Sequence, residues 1–176
     1  KTFQRVIGTF VEFEFQMAQV GAISGATAVE LEMLTDTAKN LGATTAFTAG
    51  EVAGLQKELA KLGFNPEEIE GMTAATLDLA YAFGNDLAET GATVGVVLNS
   101  YSLDASEATR VTDVLATAFS KSALDLQKFN TAFPKVGAIS SQLGFSLEGT
   151  TAILGKLSDA GLEASTAGTS LKSVFL

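Results

Sequence analysis

Along this chain, apolar stretches of helical spacing are closed repeatedly by a glycine, and the next stretch opens on Asn, Ser, Thr or Asp. Glycine accepts the left-handed conformation that ends a helix, and those short polar side chains satisfy the first free amides of the next helix. The alternation restricts the chain to short helices joined by tight turns. Asn65-Pro66-Glu67-Glu68 is the clearest opening, with a capping side chain, a proline at the first helical position and a carboxylate placed to close the box. Thr27-Ala28-Val29-Glu30, Thr48-Ala49-Gly50-Glu51 and Asp104-Ala105-Ser106-Glu107 repeat its spacing, and Gly42, Gly63, Gly84, Gly144 and Gly161 mark the interruptions.

Between these marks the apolar residues recur at helical intervals: Leu31, Leu34, Ala38 and Leu41; Val52, Leu55, Leu59 and Leu62; Ile69, Met72, Leu79, Ala80 and Phe83. Val111, Val114, Leu115, Ala118 and Phe119 continue the rule, followed by Leu126, Phe129 and Phe133, then Ile153, Leu154 and Leu157. Val11-Glu12-Phe13-Glu14-Phe15 alternates like a half-buried strand. With its flanks, however, Val6, Phe10, Phe13, Met17 and Val20 share one helical face, so helix is the favoured reading and strand the alternative.

Leu62-Gly63-Phe64-Asn65-Pro66-Glu67 and Leu143-Gly144-Phe145-Ser146-Leu147-Glu148 are nearly the same junction, each with a phenylalanine placed to fold back on the preceding helix, and Leu41-Gly42 starts a weaker third copy. They predict a duplicated helix-turn-helix unit. Helices of about 12 to 18 residues must bury a face to persist, so the expected fold is all-α, a compact bundle of roughly seven to nine short helices with helix-turn-helix repeats. Residues 1–176 are read as a single core domain. The chain opens without Met and stops inside the apolar pattern Ser173-Val174-Phe175-Leu176, so it is expected to be a fragment of a longer protein.

Composition narrows the chemistry. Cysteine and histidine are both absent, which removes thiolate metal sites, the commonest metal ligand and the commonest general base. Twenty acidic residues against 11 basic ones give a net charge of −9, the wrong sign for displacing phosphate counterions. Mean hydropathy is high at +0.29, carried largely by alanine. Even so, no run reaches the roughly 18 apolar residues of a membrane span. The two glutamates between Val6 and Phe15 are unlike a signal peptide.

Glu67, Glu68 and Glu70 form the densest carboxylate cluster, but they sit in the first turn of a helix, where capping and the helix dipole account for them. Glu12 and Glu14 point to different sides of a helix and are read as a solvated edge. Lys121 and Ser122 could suggest a Ser-Lys dyad, yet neighbouring residues do not bring the amine onto the hydroxyl, and Ser122 falls where a helix cap is expected. The glycines of Gly137 to Gly144 and Gly91-Ala92-Thr93-Val94-Gly95 lack the lysine and spacing of a phosphate loop. No catalytic, cofactor or metal residue is assigned. The small-residue face around Thr73 to Ala82, with Gly91 and Gly95 beyond, allows close helix contact, either inside the bundle or against another subunit.

Ala38-Lys39-Asn40-Leu41-Gly42 followed by Thr45-Ala46-Phe47-Thr48-Ala49-Gly50-Glu51-Val52-Ala53 resembles the signature of tail tape-measure proteins of long-tailed phages. The likeness continues in order through Leu59-Ala60-Lys61-Leu62-Gly63-Phe64, Asp78-Leu79-Ala80, Asp113-Val114-Leu115-Ala116, Ala160-Gly161-Leu162 and Ala167-Gly168-Thr169-Ser170-Leu171. The resemblance implies a structural virion protein, packed as several copies in the tail lumen. Its length would set tail length, and it would contact tail-tube and tail-tip or baseplate hub proteins before being ejected ahead of the genome. It implies no cofactor, no catalytic residue and no sequence-specific nucleic acid, with host-membrane contact confined to ejection. The tape measure of a phage-derived contractile bacteriocin fits the same blocks, and a helical adaptor module is the alternative from another class. The glycine interruptions predict that this segment assembles or anchors, and that the measuring length lies in flanking sequence.

Overall fold

The computed structural model describes residues 2–176, with side chains from residue 10 onward. The described residues form helices α1 (Thr2–Ser24), α2 (Ala28–Thr44), α3 (Ala49–Lys61), α4 (Pro66–Phe83) and α5 (Leu87–Tyr101), a 3-10 turn at Ala105–Glu107, and helices α6 (Ala108–Lys121), α7 (Leu126–Gln142), α8 (Leu147–Asp159) and α9 (Ala164–Phe175), with no strand among them. Helix α1 runs through residues 11–15, where Phe13, Met17 and Val20 are buried, so helical spacing prevails over the alternation. The side chain of Val6 lies outside the described residues.

Three of the four predicted boxes close reciprocally, at Thr27 with Glu30, Thr48 with Glu51, and Asn65 with Glu68. The fourth does not. Asp104 accepts from the Ser106 amide at 2.9 Å and opens the 3-10 turn, while Glu107 turns to Arg110. Ser122 is likewise corrected: it closes α6, donating its hydroxyl to the Ala118 carbonyl at 2.8 Å, and the cap of α7 is Asp125, which accepts from the Lys128 amide.

Six helix ends share one backbone device, an amide donating to the carbonyl five residues back across a left-handed residue. The donors are Ala26, Phe64, Asn85, Leu103, Phe145 and Leu162, following Gly25, Gly63, Gly84, Ser102, Gly144 and Gly161. Ser102 does this with φ 51, without glycine's freedom. Gly42 is not such an end. It lies inside α2, and a Cβ there would come within 2.4 Å of the Ala49 amide nitrogen, so this glycine serves close approach instead of termination.

The chain divides into two compact units, Lys1–Gly95 and Val96–Leu176. In the first, α3 is flanked by α1 and α2 and packs on α4. Gln56, fully buried, donates its amide to the Leu34 carbonyl at 3.0 Å and so ties α3 to α2. In the second, α7 pairs with α9 and α8, and α6 pairs with α8. Phe129 and Phe133 stack at 4.6 Å between ring centroids, and Tyr101 continues the stack on Phe133.

The helix-turn-helix repeat has a register that the junction motifs do not reveal. Residues 61–78 and 121–138 carry the same order of buried, intermediate and exposed positions without exception, which sets Lys61 against Lys121, Asn65 against Asp125 and Gly84 against Gly144. Packing follows that register. A Cβ on Gly95 would strike Leu62, and one on the matching Gly155 would strike the matching Ser122. Helices α3–α5 therefore correspond to α6–α8. The two Leu-Gly-Phe junctions fall at different turns of the repeat, since one leads from α3 to α4 and the other from α7 to α8. Phe64 is buried, whereas Phe145 is partly exposed and stacks on Phe175 at 4.4 Å.

Candidate functional site

The carboxylates of the Glu67–Glu70 cluster serve separate structural tasks. Glu68 accepts from the Asn65 amide at 2.8 Å, Glu67 is exposed, and Glu70 accepts from the Thr37 hydroxyl at 2.5 Å with its other oxygen buried and unpartnered. Among the described residues no group of three or more acidic side chains is placed to hold a metal ion. Glu12 and Glu14 are both exposed, on opposite flanks of α1. Lys121 extends from the end of α6 while Ser122 bonds backward to Ala118, so the two do not form a dyad.

The small-residue face divides, with Thr73, Thr76 and Ala80 buried and Ala74 and Ala82 exposed. Thr73 and Thr76 are fully buried and return their hydroxyls to the Ile69 and Met72 carbonyls, which satisfies them within α4. Gly91 and Gly95 admit Leu55, Leu62 and Phe64, where a Cβ would fall 2.1 to 3.0 Å from those side chains. Close packing inside the N-terminal unit accounts for Thr73, Thr76, Gly91 and Gly95.

The blocks singled out at Thr48–Ala53 and Ala167–Leu171 are a helix start and a tight helix contact. Thr48 and Glu51 close the cap of α3. Gly168 brings α9 so near α7 that a Cβ would sit 2.6 Å from the Ala132 carbonyl oxygen. Lys135 reaches from α7 to the start of α9, where its amine donates to the Ser165 hydroxyl and, at 3.1 Å, to the Ser165 carbonyl. Glu163 caps that helix, and the Ser165 and Thr166 amides hold its carboxyl below the usual range. Burial pushes the Tyr101 hydroxyl up, partly offset by its 2.7 Å bond to Thr150.

Sequence reasoning did not find an open apolar surface of the C-terminal unit. It is a groove of about 430 Å³ between α6 and α8, whose floor includes Val114, Ala118, Ala152 and Gly155 and whose rim carries Arg110, Lys121 and Lys156. No contiguous motif marks it, because its two walls lie far apart in sequence.

These are features of a helical packing module. The family model for phage-related minor tail proteins matches residues 35–176. The chain belongs to that family. As a minor tail protein segment it is similar, at 38% identity over 164 residues, to the tape measure protein of Pneumococcus phage Dp-1, and at 29% over 166 residues to the probable tape measure protein of Escherichia phage P2. Each alignment covers 93% of this chain but only 14% and 20% of the respective relative. No solved structure matches it. Family membership makes the chain part of a phage tail protein.

Proposed function

We propose that this segment is the assembly core of a tail tape-measure protein: it resides in the tail lumen near the tip, engages hub and tube subunits while the tube polymerises, and leaves ahead of the genome. The observation that carries the reading is the match to the Dp-1 tape measure protein over 93% of this chain within 14% of that protein. A ruler gains about 1.5 Å per residue as continuous helix. The longest helix here, α1, has 23 residues, and the rest of the chain turns back at every left-handed end. Each of the two compact units gains less length per residue than a continuous helix, which supports placing the measuring function in flanking sequence. Deleting α3–α5 from the phage gene is expected to abolish tails in electron micrographs of lysates. Tails shortened only in proportion to the residues removed would overturn the reading.

A further inference from the structure

The α6–α8 groove has a counterpart in the N-terminal unit that α1 walls on one side, leaving a pocket of about 410 Å³. Advancing sixty positions in the repeat register turns Gly54, Ala92 and Gly95 into Val114, Ala152 and Gly155. On the N-terminal side α1 lies along α3, with Phe13 and Gln16 facing Gly50 and Gly54. In the C-terminal unit the same face is open, and the hydroxyl of Thr151 on its wall, in a residue only 1% exposed, has no hydrogen-bond partner.

Helix α1 has a second face. Phe13, Met17 and Val20 are buried on one side, while Val11 and Phe15, 59% and 63% exposed, align with exposed Ala18 and Ala22 on the opposite side. The intervals of four, three and four residues keep that stripe straight. Glu12 and Glu14 flank it, and no basic residue occurs between Phe10 and Ser24. The groove carries the complementary charge at one end. Lys121 and Lys156 stand where α6 and α8 finish, Lys156 82% exposed and 3.3 Å from Asp159, whereas Arg110 at the other end is held by two carboxylates, Glu107 at 3.0 Å and Glu148 at 2.8 Å. The stripe from Val11 to Ala22 and the groove wall from Arg110 to Lys121 each advance about 17 Å.

We propose that the α6–α8 groove of one copy receives the exposed face of α1 from a second copy. The incoming helix runs antiparallel to α6, with Phe15 over Ala118, Ala152 and Gly155 and with Glu12 and Glu14 beside Lys121 and Lys156. One α1 then contacts equivalent faces in two molecules. The contact joins two different surfaces, so it either closes reciprocally in a two-fold dimer or propagates head to tail into a ring or a stack. It rests on the packing described above and not on the tail role.

Sedimentation equilibrium tests this directly. The chain should self-associate, and either Glu12→Lys with Glu14→Lys or Lys121→Glu with Lys156→Glu should weaken association at least tenfold. An equimolar mixture of the two variants should associate again. The chain has no cysteine, so an Ala18→Cys preparation mixed with an Ala152→Cys preparation and treated with a short bis-maleimide can join only between copies. A cross-linked heterodimer is expected. A monomer at all concentrations, a mixture that fails to recover, or Ala18→Cys chains joining only to each other would overturn the proposal.

Discussion

Helices α3–α5 and α6–α8 have the same rhythm of burial but fill it differently. Position 73 is a buried threonine where position 133 is a buried phenylalanine stacked in an aromatic ladder, and Gly91 admits Leu55 where Thr151, itself buried, lines the groove. The first helices diverge most. Ala53, Gln56, Leu59 and Ala60 of α3 are buried beneath α1 and α2, whereas the matching Asp113, Ala116, Phe119 and Ser120 of α6 are not. The pattern of apolar spacing therefore sets where helices form and which side faces inward, while the identity of each residue decides what packs on them.

The sharpest way to break this correspondence is at the matched pair. Phe133→Ala should cost about 3–5 kcal/mol and Thr73→Ala only about 1 kcal/mol, read as urea midpoints with hydrogen exchange assigning the loss to the unit mutated. Equal costs would mean that residue identity does not decide what the shared pattern packs. Next in size are the glycines. Gly42→Ala should cost about 1–3 kcal/mol, because its Cβ meets the Ala49 backbone, and Gly63→Ala about 1 kcal/mol through its φ of 92 alone. Thermal melts that rank them in the reverse order would undo the distinction between a packing glycine and a terminating one. Removing the reciprocal cap with Thr48→Ala should cost about 1 kcal/mol, and Asp104→Ala about half that, since Asp104 opens only a 3-10 turn.

Acid separates the units most gently. Hydrogen bonds from Thr27 lower Glu30 in the N-terminal unit. In the C-terminal unit Ser106 lowers Asp104, the Ala123 amide lowers Asp159, the Ser165 and Thr166 amides lower Glu163, and its own backbone amide, then Arg110, lowers Glu148. A carboxyl with a lowered pKa when folded binds its proton less tightly than when unfolded. Its contribution is complete above the ordinary carboxylate range and disappears as pH falls through the folded value. Amide protection should therefore fail first in the C-terminal unit below about pH 4. Simultaneous loss in both units would show that these caps do not govern acid stability.

Much of the fold was readable in the sequence because its signals are local. The boxes at Thr27, Thr48 and Asn65 need only four residues each, and glycine announced the ends at Gly63, Gly84, Gly144 and Gly161. Asp125 escaped notice because Lys128 follows where a glutamate would complete the box. Ser102 escaped because serine does not advertise a left-handed turn. The register of the repeat was hidden for a related reason. Any helix can end on Leu-Gly-Phe, since the bond that closes it is made by the backbone, so identical junctions at different turns look like a duplication. The groove was illegible because Arg110 and Glu148 meet only once α7 has been folded between them.

The left-handed ends also bear on how the chain responds to force. Each holds its turn through a few backbone hydrogen bonds, and the helices between them are too short to persist once peeled from their neighbours. A chain drawn out from one terminus would yield in discrete steps, one helix at a time. The 13 residues of α3, for example, would lengthen from roughly 20 Å to about 45 Å. In an optical trap this would register as a sawtooth whose spacing follows the positions of Gly25, Gly63, Gly84, Ser102, Gly144 and Gly161.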